Sequence, residues 1–187
     1  MNYTIVTMNE IALDKLKAFT DKFIGQNYYV DSDFRKMLKL STDSMGMVSF
    51  VALNQKEEIV GIRITLLPGK LTENIDSKFL SMNKWSTDVE SVAYFKSLFV
   101  HSAYQNKGVG RALTEKSLEE LKKRNTKAVV VHSWLESPGN SSSQYLKAMG
   151  FAEVKVHPLF WAHVDYLCSG CKVKPCVCTA VEMIKYL

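Results

Sequence analysis

The sequence predicts a single α/β domain with helices packed around a central sheet. Segments with strand-like and helix-like patterns alternate along the whole chain, which is typical of this class. The 187 residues are 47% apolar and 23% charged, as in an ordinary globular domain with one core. No internal repeat, low-complexity tract or linker divides the sequence. We therefore expect one domain covering residues 1–187.

The first part of the chain is predicted to form one strand, two helices and a hairpin. A β-rich segment at 3–8 precedes an amphipathic pattern over 9–24 and a shorter helical pattern over 31–40. Two β-rich segments at 46–53 and 57–67 are joined by the polar stretch NQKE, which predicts a β-hairpin. These elements supply strands for the sheet and helices to cover it.

A long polar segment at 69–88 separates this part from the rest of the chain. Loops of this length are usually lids, binding loops or disordered segments. After it we predict a long strand at 89–100, an amphipathic helix at 108–124 and an apolar strand at 128–131. A short helix ended by a glycine follows at 140–151, and two final strands follow at 152–162 and 180–187.

The helix predicted at 108–124 has the clearest pattern of these elements. Its apolar positions fall on one half of a helical wheel, and its charged positions fall on the other half. The inward half carries Val109, Leu113, Ser117, Leu118 and Leu121. We expect this helix to pack on the sheet with its charged face in solvent.

The net charge of +5 does not by itself indicate a nucleic-acid partner. The densest basic run, residues 122–124, lies at a helix end, where cations complement the helix dipole. The N-terminus lacks the basic and apolar regions of a secretory signal, and no run approaches the roughly 18 apolar residues of a transmembrane helix. We expect a cytoplasmic protein without a membrane segment and without a nucleic-acid partner.

Two glycines, Gly108 and Gly110, lie between the long strand and the amphipathic helix. Glycine lets backbone N–H groups approach a ligand closely, and the first N–H groups of a helix have no intrahelical partner. The arrangement therefore suits an anion such as pyrophosphate, with Lys107 and Arg111 adding positive charge. The pattern is neither the phosphate loop of nucleotide hydrolases nor the dinucleotide fingerprint. Two glycines alone also suit a tight turn with close helix packing.

The segment 97–121, SLFVHSAYQNKGVGRALTEKSLEEL, resembles the acetyl-CoA-binding motif of the GNAT N-acetyltransferases. That family's pattern is Gln or Arg, two residues, Gly, one residue, then Gly or Ala. Gln105, Gly108 and Gly110 meet this pattern here. The later segment 140–151, NSSSQYLKAMGF, resembles the family's helix that ends in Gly-Phe. The order of the other elements extends the resemblance over most of the chain.

The resemblance implies a mixed, mostly antiparallel sheet that splays at a cofactor cleft and is flanked by helices. It also implies acetyl-CoA as cosubstrate, with the pyrophosphate held by the backbone of 105–110 and the pantetheine arm along the end of the preceding strand. The residues implied to contact the cofactor are Leu98, Phe99, Val100, Gln105, Asn106, Lys107, Gly108, Val109, Gly110, Arg111, Asn140 and Ser143.

The implied reaction is transfer of the acetyl group to a primary amine by direct attack in a ternary complex. The amine must lose a proton, and the leaving thiolate benefits from an acid. The family's usual base position is occupied here by Tyr94 and its usual acid position by Leu146, with Tyr145 beside it. Our hypotheses are a water relay at Tyr94 and an acid role for Tyr145. The alternative is that both tyrosines pack in the core with bonded hydroxyls. His132 either faces the same pocket or is structural.

All four cysteines lie within 168–178, with the spacing C-x2-C-x4-C-x-C, between the last two strands. Four thiolates in so short a segment can hold a structural zinc ion in a tetrahedral site. The ligands would be Cys168, Cys171, Cys176 and Cys178. Reduced cysteines without metal, or a redox dithiol of Cys168 and Cys171, are the alternatives.

The missing glutamate and the shifted tyrosine leave a second function open, a non-catalytic binding module of the same fold whose zinc knuckle recognises protein or nucleic acid. The glycine loop favours the enzyme, because a pure binding module has no need of it. The sequence does not identify the acceptor amine, and both a monomer and a homodimer are compatible with it.

Overall fold

The structure, a computed structural model, describes residues 2–187. None of the helices in that range has the length and apolar character needed to span a bilayer. The strands are β1 Tyr3–Thr7, β2 Thr42–Asp43, β3 Gly46–Met47, β4 Phe50–Asn54, β5 Ile59–Leu66, β6 Val92–Val100, β7 Ala128–Trp134, β8 Ala152–His157 and β9 Ala180–Tyr186. The helices are α1 Leu13–Phe23, α2 Asp31–Leu40, α3 Val109–Lys123 and α4 Ser141–Ala148.

Seven strands form one sheet in the order β1-β4-β5-β6-β7-β9-β8, and β2 and β3 form a separate hairpin. Neighbouring strands of the large sheet are antiparallel except for β6 and β7, which are parallel. The prediction of an α/β fold with a mixed, mostly antiparallel sheet is therefore confirmed. The final strand in sequence, β9, lies between β7 and β8.

Helices cover both faces of the sheet. Successive side chains of a strand point to opposite faces, so apolar side chains on both faces need cover. On one face, Leu16 of α1 and Phe34 of α2 are buried with Ile62 of β5. On the other face, Leu121 of α3 is buried with Phe95 of β6. Full burial of each such side chain contributes about 1.5–3 kcal/mol to folding. The sheet is thus the middle layer of three.

Helix α3 packs closely on β5 at Gly61. A Cβ atom at this position would lie 3.0 Å from Leu113 and 3.1 Å from Val109. Because such contacts are tighter than side chains normally tolerate, the glycine allows the helix to approach the sheet. The first turn of α3 is therefore held beside the end of β6, where Gly110 faces Leu98.

The long polar segment at 69–88 folds as a series of short 3₁₀ turns packed on the sheet. Three of these turns cover Leu71–Glu73, Ser77–Phe79 and Met82–Lys84. The segment is anchored by apolar side chains, since Leu71 and Trp85 are buried in the same core as α1 and α2. Its backbone therefore has a defined path beside β9 and β7.

Three predicted boundaries differ most from the structure. Helix α1 begins at Leu13 because Met8–Glu10 forms a 3₁₀ turn of its own. The strand predicted from residue 46 begins at Phe50, because Gly46–Met47 pairs in the separate hairpin. Strand β8 ends at His157, since the proline that follows lacks the N–H needed to continue the ladder.

Candidate active site

The parallel strands β6 and β7 part in the middle of the sheet. Their pairing runs from Val92 opposite Ala128 to Phe95 opposite Val131 and ends there, although β6 continues for five more residues, to Val100. A bulge begins at the same place. Ser97 pairs with β5 two positions after Phe95, so Lys96 is the extra residue. The sheet therefore opens next to the bulge in β6.

This opening leads into a cavity of about 940 Å³, which we call the cleft. Its walls are β6 from Tyr94 onward, the end of β7, the first turn of α3 and the start of α4. Part of the segment between β8 and β9, including Phe160 and Cys168, forms a further part of the lining. A volume of this size is typical of a site for a small ligand or cofactor.

The turn before α3 has the geometry of an anion site. Asn106 and Gly108 both adopt positive φ angles, of 57° and 80°. The first intrahelical hydrogen bond runs from Ala112 N–H to the Gly108 carbonyl, so the N–H groups of the three residues between them lack helical partners. A Cβ at Gly108 would meet no atom within 4 Å. The glycine is therefore needed for its backbone angle, and the space beside it is open to a ligand.

The structure brings nine of the twelve predicted cofactor residues to the cleft. The three that lie outside its lining are Lys107, Asn140 and Ser143. The Ser143 hydroxyl is buried against β7, 2.7 Å from the hydroxyl of Ser133. Asn140 caps α4 in the left-handed conformation. The nine residues that line the cleft are Leu98, Phe99, Val100, Gln105, Asn106, Gly108, Val109, Gly110 and Arg111.

Tyr145 reaches from α4 to the first turn of α3. Its hydroxyl donates to the Gly110 carbonyl at 3.0 Å and lies 2.6 Å from Thr114 Oγ1. Both Tyr145 and Leu146 line the cleft. Although Tyr145 is one residue before the family's usual acid position, it still lies in the cleft. Its hydroxyl is hydrogen-bonded, as is also expected if the tyrosine only packs in the core.

Arg63 of β5 lies next to Tyr145 and Thr114, and the sequence analysis did not identify it as a site residue. It is fully buried, its guanidinium stacks 4.2 Å from the Phe95 ring, and one NH₂ group donates to Thr114 Oγ1 at 2.7 Å. Burial lowers the pKa of Arg63 to about 10. Its Nε has no hydrogen-bond partner within residues 2–187. The cleft is therefore backed by a buried positive charge, which favours anionic or electron-rich ligand groups.

Tyr94 and His132 form a buried pair where β6 and β7 part. The Tyr94 hydroxyl lies 3.1 Å from His132 Nδ1, and His132 Nε2 lies 2.9 Å from the Phe79 carbonyl oxygen. A carbonyl only accepts, so Nε2 carries the proton and Nδ1 accepts from Tyr94. Burial lowers the pKa of His132 to about 4 and raises the pKa of Tyr94. Both groups are neutral at pH 7.

Glu182 of β9 forms a second buried group beside this pair. The carboxylate accepts hydrogen bonds from His157 Nε2 at 3.0 Å, from Ser81 N–H at 3.0 Å and from the Trp85 indole at 2.9 Å. Burial opposes its charge, but the hydrogen bonds from His157 and Ser81 lower its pKa overall. The side-chain ligand atoms of His132, His157 and Glu182 converge within 4.8 Å. The sequence signal that could have identified Glu182 is an acidic residue inside the mostly apolar strand AVEMIKY.

Lys96, the bulge residue, also lines the cleft. Burial lowers the pKa of its ammonium to about 8. Tyr94 and Lys96 are two residues apart on β6 and both line the opening, together with the aromatic side chains of Tyr28 and Phe160. The cleft combines an anion site at one end with polar, titratable groups at its centre.

The four cysteines lie together beside the cleft, and Cys168 and Cys178 contribute to its lining. Their Sγ atoms are all within 4.8 Å of one another. They pack with Tyr28, Trp134, Trp161 and Tyr166 in a small core separate from the main one. The predicted cluster is therefore formed in space as well as in sequence.

Comparison with known proteins places this fold in a family. A model described as the acetyltransferase (GNAT) family matches residues 25–151. Since this match spans more than half of the sequence, the chain belongs to the GNAT acetyltransferase family. No curated protein gives a significant match to the chain.

Solved structures share the same fold at low sequence identity. The NatC complex bound to Gag peptide and CoA matches with a TM-score of 0.70 and 14% identity over 100% of this chain and 99% of that chain. Arabidopsis thaliana Naa50, in complex with the bisubstrate analogue CoA-Ac-MVNAL, matches with a TM-score of 0.66 and 14% identity over 100% of both chains. The ribosomal-protein-S18-alanine N-acetyltransferase from Escherichia coli matches with a TM-score of 0.63 and 15% identity over 99% and 94%. These likenesses extend the shared fold beyond residues 25–151.

Proposed function

We propose that this protein transfers the acetyl group of acetyl-CoA to a primary amine by direct attack in a ternary complex. The observation that carries the proposal is the parting of β6 and β7, followed at once by a glycine turn and the free N–H groups of α3. Membership of the acetyltransferase family supports it. Two structures of the same fold are complexes, one with CoA and one with the bisubstrate analogue CoA-Ac-MVNAL.

The cofactor would lie along β6 with its pyrophosphate on the first turn of α3. The N–H groups of Val109, Gly110 and Arg111 supply hydrogen bonds and the positive end of the helix dipole. The pantetheine arm would pair with the backbone of 98–100, which β7 leaves free. The thioester would then reach Lys96, where the bulge frees main-chain groups to stabilise its oxygen.

The amine would attack from the side of Tyr94 and His132. After attack, the nitrogen of the tetrahedral intermediate is far more acidic than a free ammonium, so a weak base is sufficient to remove its proton. Tyr94 would take this proton on its oxygen while its own proton moves to His132 Nδ1, directly or through a water. His132 then carries both ring protons, one of them on the Phe79 carbonyl.

The leaving thiolate requires a proton as the C–S bond breaks. Tyr145 lines the cleft at the first turn of α3, and rotation of its O–H away from the Gly110 carbonyl would direct that proton into the cleft. After CoA leaves, Tyr145 would regain a proton from solvent and His132 would release its additional proton to solvent, which restores both residues. Holding the amine and thioester together in this cleft supplies much of the remaining rate gain.

The alternative of a non-catalytic module with a zinc knuckle is not supported by these comparisons. The structures of similar fold are described as acetyltransferases or as complexes with CoA or its analogue. Titration calorimetry with acetyl-CoA and a thiol-release assay with an amine panel separate the two functions. The panel should include peptides with free N-termini, peptides with an internal lysine and small polyamines.

A matched pair of glycine variants sharpens this test. Gly108 and Gly46 both have positive φ angles and no atom within 4 Å of an added Cβ, but only Gly108 lies in the cleft. Gly108→Ala and Gly46→Ala should each cost about 1–2 kcal/mol of stability. Only Gly108→Ala should weaken acetyl-CoA binding, by about tenfold. No heat of binding with the wild-type protein would refute the proposal, and binding without turnover of any amine would favour the module.

A further inference from the structure

The four cysteine sulfurs have the spacing of a tetrahedral metal site. Cys168 Sγ lies 3.9 Å from Cys178 Sγ, and Cys171 Sγ lies 3.8 Å from Cys176 Sγ. In a regular tetrahedron with Zn–S bonds of about 2.3 Å, neighbouring sulfurs are about 3.8 Å apart. All four sulfurs fall within 4.8 Å of one another, and none is in a disulfide. We propose that these four cysteines bind one zinc ion.

The surroundings of the cluster also fit metal-bound thiolates. The Tyr166 hydroxyl donates to Cys176 Sγ at 3.6 Å. The indole N–H of Trp134 is buried without a hydrogen-bond partner among residues 2–187, and the Trp134 side chain packs against the cysteine cluster. A thiolate held by a metal is the acceptor that this N–H lacks. Donors of this kind orient ligands around metal sites.

The charge around the cluster suits a zinc–tetrathiolate centre, whose formal charge is −2. The short loop between Cys171 and Cys176 carries two exposed lysines, Lys172 and Lys174. Lys174 is also paired with Asp165, which lies three residues before Cys168. Free thiols alone pack as small apolar groups, which does not require all four sulfurs to converge on one point. The metal accounts for their convergence.

Zinc would fix the position of the segment 158–179, which contains no helix or strand. The segment contacts the cleft closely, because a Cβ at Gly170 would lie 2.1 Å from the Trp134 ring. It also contacts the turn after α1, where a Cβ at Gly25 would lie 2.7 Å from the Leu167 carbonyl. The metal would therefore shape the part of the cleft wall that this segment forms. That wall is the acceptor end if the proposed acetyl transfer is correct.

The first experiment measures metal content in the full-length protein purified under reducing conditions. We expect one zinc per chain by plasma mass spectrometry, loss of zinc in Cys176→Ser and Cys178→Ser, and retention in Val177→Ser. Val177 is the matched control, because it is exposed and lies between these two ligands. Cobalt in place of zinc should give the visible absorption of tetrahedral thiolate coordination. A protein that binds no metal after reduction and zinc addition would overturn the proposal, as would bound iron or disulfides.

A second experiment tests whether zinc holds the segment 158–179 in place, and it does not depend on acetyl transfer. Lys172 is exposed within the cluster loop, so trypsin should cut there at least tenfold faster after zinc is chelated. Lys172→Gln removes this cleavage and identifies the site. An unchanged cleavage rate would show that the metal does not hold the segment. In active protein, zinc removal should raise the KM for the amine with little change in acetyl-CoA affinity. Failure of acetyl transfer itself would leave the metal count and the trypsin result unaffected.

Discussion

Glu182 offers the sharpest test of how the centre of the site is held together. Its carboxylate is fully buried and accepts three hydrogen bonds, two of them from the 69–88 segment. Hydrogen bonds to a charged group contribute about 1.5–3 kcal/mol each, and removing one partner of a buried charged pair costs about 3–5 kcal/mol. Glu182→Ala leaves the donors of Ser81 and Trp85 unpaired, so we expect it to lose about 3–5 kcal/mol.

Glu182→Gln should cost less, about 1–2 kcal/mol, because the amide oxygen can still accept the two bonds from the 69–88 segment. Urea unfolding at pH 7 measures both values. The matched control is Glu153→Ala on neighbouring β8, an exposed glutamate whose ion pair with Lys147 should be worth about 0.5 kcal/mol or less. A loss below about 1 kcal/mol for Glu182→Ala would refute the reasoning.

The Glu182→Gln variant should also change how stability depends on pH under acidic conditions. The pKa of Glu182 is lowered from 4.5 in the folded protein, so its stabilising contribution is present above pH 4.5 and is lost as the pH falls through the lower, folded value. The difference between wild type and Glu182→Gln should therefore shrink on acidification below pH 4.5. A difference that stays constant down to pH 2 would contradict a lowered pKa.

Three further predictions concern the cleft. Tyr94→Phe and His132→Ala should each lower kcat by roughly 10²-fold, with unchanged acetyl-CoA affinity by calorimetry; near-normal kcat in both would exclude the relay. Tyr145→Phe should lower kcat by about tenfold, whereas full kcat at every pH would exclude the acid role. Lys96, with its pKa lowered from 10.5 to about 8, should make the protein more stable as pH rises from 8 to 10.5, because only the unfolded chain keeps that proton. Lys96→Met should lack this slope in urea unfolding.

The architecture was predictable because it depends on local patterns. The apolar stripe of α3, the continuous apolar run of β7 and the glycine turn between strand and helix each have a spacing that one segment displays by itself. Gly108 and Gly110 could be assigned to a turn because of their position between two recognisable elements. The mixed sheet followed from the order of those elements together with the family resemblance.

The chemical centre of the site was only partly predictable, because its groups come from distant segments. Tyr94 was identified from its position before Val100, but its partner His132 is set by the parallel pairing of β6 and β7. Glu182 reaches the same place because β9 inserts next to β7, opposite His132 in register. The bulge at Lys96 depends on the pairing of β6 with β5, and no residue pattern marks it.

Because β9 inserts between β7 and β8, strand β7 lacks one of its partners for part of the time in which the chain is synthesised. Strand β7 is made before β9, and the segment 135–179 separates them. At ribosomal speeds of 5–20 residues per second, this interval is about 2 to 9 s. During that time the apolar run of β7 has an unpaired edge, which is the kind of surface that recruits other chains. Strand β8, already made, is largely polar and exposed and gives no cover. Nascent chains that stall before residue 180 should therefore be the aggregation-prone species, and a chaperone that shields β7 would be needed only for those few seconds.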